Sequence, residues 1–144
     1  MAHIEWSEKL EIGLAPMDAI HREFVDFANA VVAADDAGLL PALDALIAHT
    51  RMHFATEDRW MLESNFPPPC HRDEHRRVLE VMDAVRGQVV AGDMALGRRL
   101  AQELSPWFEQ HASTMDTVLA AFLQQVGYDT TGKAAPATDT ALPA

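Results

Sequence analysis

An all-α protein, folded as an up-down-up-down antiparallel four-helix bundle, is what this sequence predicts, and three observations carry the expectation. Apolar residues recur at helical spacing in four stretches, no stretch alternates in the strand pattern, and the connections are short enough to force sequential helices antiparallel. The helices are expected at about 18 to 35, 38 to 64, 70 to 91 and 94 to 126. An irregular arm ending near Pro16 precedes the first. Gly38, the run Asn65, Phe66, Pro67, Pro68 and Pro69, and the pair Gly92 and Asp93 mark the turns.

A chain of 144 residues has room for one domain and one core, expected over residues 1 to 128. The stretch 129 to 144, rich in Ala, Thr and Pro, is expected to be a mobile tail. Against 22 acidic residues stand 11 basic ones, for a formal charge of -11. Such a surface repels nucleic acid phosphates and anionic membranes, so neither is an expected partner. The first residues lack an export pattern and no run is long and apolar enough to span a membrane, which makes the cytoplasm the expected location. A single cysteine, Cys70, leaves no internal disulfide and no multi-cysteine metal site. Any metal falls to His, Asp and Glu.

The seven histidines therefore need an explanation. At about 100° per residue, the first helix places His21 on one stripe with Phe24, Val25, Ala28 and Val32. The second aligns Leu46, His53, Glu57 and Trp60, and the third aligns His71, His75, Val78, Met82 and Val85. The fourth aligns Leu100, Leu104, Trp107, His111, Met115 and Phe122. One inward histidine is most simply a core residue bonded to a carbonyl. Five of them with a carboxylate one turn away would each cost several kcal/mol unless compensated, and metal coordination supplies the compensation. His53 and Glu57 stand four apart, as do His71 and His75, so each pair can converge on one metal. Asp116 lies five residues after His111, rotated by about 140° on an ideal helix. Both reach one cluster if they serve different sides of it, or if the helix bulges around residues 111 to 116.

With these residues in view, the chain resembles the hemerythrin family. The resemblance rests on His21, on His53 through Glu57, on His71 through His75 and on His111 through Asp116, and it extends from Trp6 and the pair Met17 and Asp18 to the end of the fourth helix. It implies a bridged pair of iron ions, with His71, His75 and His111 on one, His21 and His53 on the other, and Glu57, Asp116 and an oxo or hydroxo group spanning both. Those ligands fill all but one of the roughly twelve positions around two six-coordinate ions. The open position lies on the two-histidine ion, where the family binds molecular oxygen reversibly. An oxygen carrier or store, rather than an enzyme, is the expected function. The alternatives are an oxygen or redox sensor, a di-iron enzyme reducing peroxide or nitric oxide, and a structural zinc site; no protein partner is indicated.

Phe54, Trp107, Phe108 and Ala112 are the expected wall of the oxygen pocket. Ala112 stands where the family commonly has a bulky aliphatic, which implies a roomier pocket unless Phe108 fills it. Asp18 is expected to cap the first helix rather than orient His21. His49 is read as a packed core residue, Cys70 as an inert thiol and His3 as exposed and idle. Met17, Met52, Met61 and Met82 are read as core filler.

Overall fold

The computed structural model describes residues 10 to 67 and 69 to 130. His3, Trp6, Pro68 and the expected tail beyond Thr130 lie outside the described residues. Helix α1 spans Ala15–Ala33, α2 Asp36–Ser64, α3 Cys70–Val90 and α4 Met94–His111. The fourth arm continues through a π-helical segment, Ala112–Asp116, into α5, Thr117–Gln125. Helix α1 packs on α2, α2 on α3, α3 on α4 and α4 back on α1, which closes the up-down-up-down ring. No described helix is long and apolar enough to cross a membrane.

The boundaries follow local chemistry. Helix α1 starts earlier than the sequence suggests because Pro16, which has no backbone N–H to leave unpaired, sits in its first turn. Helix α2 also starts early: the Asp35 side chain accepts from the Gly38 N–H at 2.8 Å, so Gly38 belongs to the first turn and the connection is Ala34 and Asp35. Asn65 ends α2 in the left-handed conformation at φ 61°, which asparagine tolerates. Gly92 takes φ 112° and Asp93 caps α4 by accepting from Leu96 N–H at 3.1 Å.

Among the described residues the core forms two apolar clusters with a polar layer between them. The larger contains Phe24, Val25, Leu39, Leu43, Leu46, Met82, Leu100, Leu104 and Phe108; the smaller contains Met17, Trp60, Met61, Leu119, Ala120 and Leu123. In chain order, the histidines and carboxylates of each arm fall between its contributions to the clusters or at the end of one, so apolar side chains plug both ends of the layer. Met52 departs from its expected role. It is 45 % exposed, because it precedes inward-facing His53 and so points about 100° away from the stripe.

Candidate metal centre

Each arm of the bundle delivers its candidate ligands from a buried stripe. His21, His53, Glu57, His71, His75, His111 and Asp116 are all 2 % exposed or less. Asp116 reaches the cluster because of the π-helical segment, where the Thr117 N–H reaches back to the Ala112 carbonyl and one extra residue fits into the turn. Five residues then return to one face. The sequence supplies hydroxyls for the disturbed carbonyls: Thr117 Oγ1 donates to Ala112 O at 2.9 Å and Thr114 Oγ1 to Gln110 O at 2.6 Å. Of the two routes open to Asp116, the fold takes the bulge.

The two carboxylates divide their oxygens between two sides. Glu57 Oε2 lies 3.0 Å from His53 Nε2 and 3.9 Å from His21 Nε2, while its Oε1 lies 3.5 Å from His71 Nε2 and 3.3 Å from His75 Nε2. Asp116 repeats the pattern, with Oδ2 3.0 Å from His21 Nε2 and Oδ1 3.0 Å from His71 Nε2 and 3.2 Å from His111 Nε2. Two overlapping donor sets result. One is Glu57, His71, His75, His111 and Asp116, the other His21, His53, Glu57 and Asp116, and the ligand atoms of each lie within 4.8 Å of one another.

Burial makes this arrangement costly without a cation. Although imidazole nitrogens approach them, Glu57 Oε1, both Asp116 oxygens and His21 Nε2 are buried with no well-aligned hydrogen bond. Burial works against ionising Glu57 and Asp116, as does the charge of each on the other in the case of Glu57, yet the surrounding imidazoles hold both carboxyls below their ordinary range. Burial likewise opposes charging His71, but its contacts with Asp116 and Glu57 raise it to about 9. His53, where burial dominates, is lowered. Nitrogen and oxygen donors in a three-plus-two array of imidazoles around shared carboxylates suit a pair of first-row metal ions.

The sequence model of the Hemerythrin HHE cation binding domain matches residues 13–123, a span that contains every residue of the two donor sets. The chain belongs to the hemerythrin family. A bacteriohemerythrin of Ralstonia nicotianae is 48 % identical over 136 residues, covering 94 % of this chain and 99 % of that protein. More distant bacteriohemerythrins are 26 % identical: that of Stenotrophomonas maltophilia covers 83 % of this chain and 81 % of its own length, and that of Pseudomonas paraeruginosa covers 81 % and 78 %. That family's domain is described as cation binding, and the buried cluster of this helical bundle has the composition and spacing that fit a metal site.

Around this hemerythrin-type cluster, further groups hold the outer histidine nitrogens. His75 Nδ1 donates to Asp58 Oδ1 at 2.8 Å, His111 Nδ1 to Glu74 Oε1 at 2.8 Å and His21 Nδ1 to the Leu10 carbonyl at 2.9 Å. Spacing along the chain does not reveal Asp58 and Glu74, because each serves a histidine on the next helix; their only signal is a position beside Glu57 and beside His75. Asp18 is corrected from its expected role. Leu14, not Asp18, is the α1 N-cap, and Asp18 accepts from the Ile12 and Gly13 N–H groups at 2.7 and 3.1 Å. It thereby ties down the arm whose Leu10 carbonyl orients His21.

The four aromatic and small residues named from the sequence separate. Phe108 meets the His21 ring edge-on at 4.9 Å and packs on Phe24 at 4.4 Å; Ala112 is fully buried in the same cluster. Phe54 lies 5.0 Å from His53 and stacks on His75 at 3.9 Å. Trp107 is only partly buried and stacks on His111 at 4.6 Å, on the three-histidine side. Phe24, read from the sequence only as core, stands 6.1 Å from His53. His49 bonds Glu23 through Nε2 at 3.0 Å and lies 4.9 Å from Phe27, outside both donor sets. Cys70 is exposed.

Proposed function

We propose that this protein binds molecular oxygen reversibly, as a carrier or store, at a pair of iron ions held by the seven buried ligands and bridged by an oxo or hydroxo group. The observation that carries the reading is the division of Glu57 and Asp116 oxygens between three imidazoles and two. The two-histidine side offers one histidine fewer, and an iron pair held by these residues would supply the electrons that oxygen binding draws on.

The chain's own side chains do the rest. Phe24 and Phe108 wall the two-histidine side with apolar surface, and apolar clusters close the layer at either end, which keeps out water and the protons that would turn binding into irreversible oxidation. Leu10 and the arm behind it fix the plane of His21. Optical spectra of the reduced protein before oxygen, after oxygen and after degassing test the proposal. A new absorption that vanishes on degassing supports reversible binding; a spectrum that oxygen changes permanently contradicts it, and steady consumption of a reductant identifies an enzyme instead.

Ala112 is fully buried in the apolar cluster that also holds Phe24 and Phe108, so a larger side chain there enters packed surroundings. Ala112→Ile is expected to cost about 1–3 kcal/mol by overpacking and to lower the thermal midpoint. Unchanged or increased stability would reveal a void beside Ala112.

A further inference from the structure

The outer nitrogens of the five ligand histidines are treated unequally. On the three-histidine side, His75 and His111 each donate through Nδ1 to a carboxylate, Asp58 and Glu74, at 2.8 Å. His71 Nδ1 has no partner. On the two-histidine side, His21 donates to a neutral carbonyl and His53 Nδ1 has no partner. Both rings that face carboxylates are also clamped in plane: Phe54 lies parallel to His75 at 3° and Trp107 nearly parallel to His111 at 19°. The Trp107 indole N–H reaches Glu74 Oε2 at 3.4 Å, so one carboxylate holds both rings of that stack.

A carboxylate on the remote N–H draws the proton toward itself and leaves the metal-facing nitrogen a stronger donor, which a neutral carbonyl does more weakly. The bridging carboxylates serve both positions, so the difference between the positions lies in the imidazoles. We infer that Asp58 and Glu74 are positioning residues that make the three-histidine position the more readily oxidised of the two. This rests on the proposed di-iron reading. In a half-oxidised centre the ferric state would then be favoured at the position held by His71, His75 and His111.

The test uses the iron-loaded full chain with Asp58→Asn and Glu74→Gln, which retain an oxygen acceptor and lose the charge. Glu23→Gln, whose carboxylate holds His49 rather than a ligand, controls for one lost surface charge. Each of the first two variants is expected to keep two irons and to raise the midpoint potential by the equivalent of about a tenfold change in ferric over ferrous preference, about 59 mV for a one-electron step. The control moves much less, and Asp58→Glu, which restores the charge, returns toward wild type. Potentials that stay at the wild-type value, or that shift no more than in Glu23→Gln, overturn the inference. So does loss of iron from either variant with its helicity retained, since the carboxylate then holds the metal rather than tunes it. Wild-type protein that fails to load two irons defeats the di-iron reading itself, a different outcome read from the metal content alone.

Discussion

Iron loading is expected to raise the thermal midpoint of the metal-free protein by roughly 10 °C or more. A ligand present at about a thousand times its dissociation constant stabilises the native state by about 4 kcal/mol, and each kcal/mol moves the midpoint of a domain this size by about 3 °C. The structural cause is the layer of seven buried ionisable groups, whose unpartnered Glu57 and Asp116 oxygens bonds to metal would satisfy. The metal-free protein should also carry a pH signature. His71 is raised to about 9 from 6.5. Its protonated form therefore stabilises the metal-free fold fully below about pH 6.5, and that contribution is lost as the pH rises through about 9. Metal binding needs the neutral ring, so the gap between loaded and metal-free midpoints should widen over the same interval. Coincident melts of the two forms, followed by circular dichroism across this pH range, would show that the cluster holds no metal.

Replacing Glu57 by Ala is the substitution expected to do most damage to the centre. Glu57 faces His53 with one oxygen and both His71 and His75 with the other, so its loss removes a donor from both positions at once. Removing a group that merely supports a ligand costs ten- to a hundred-fold in metal affinity; removing this shared ligand should cost about a hundred-fold or more and abolish magnetic coupling in the diferric form. His49→Phe should retain two coupled irons, because His49 is occupied by Glu23 and stands outside both donor sets. Coupling that survives in Glu57→Ala would rule out this carboxylate as a bridge.

The parts of this architecture that are legible in the sequence are those that repeat along a single helix. Four apolar stripes give the bundle, and histidines on those stripes give the buried cluster of candidate ligands, since a helix of fixed pitch turns spacing into direction. The π-helical segment is legible for the same reason in reverse: Asp116 sits about 140° from His111 on an ideal helix, so convergence on one cluster demands an extra residue in the turn. What stays hidden depends on contacts between helices or on the entry of the chain into one. Asp58 and Glu74 look like surface acids until α2 is laid against α3 and α3 against α4. Asp18 looks like a cap until the arm before α1 folds back onto it. Trp107 and Phe108 both sit one turn or less from His111, and packing alone decides that Phe108 is buried against His21 while Trp107 stacks outside on His111.

The most direct test of the two-metal account is a crystal of the iron-loaded protein measured at the iron absorption edge. The account predicts two anomalous peaks about 3.5 Å apart, one bounded by Nε2 of His71, His75 and His111 and the other by Nε2 of His21 and His53, with Glu57 and Asp116 each giving an oxygen to both. A single peak, or two peaks of which one lies away from His21 and His53, would contradict it.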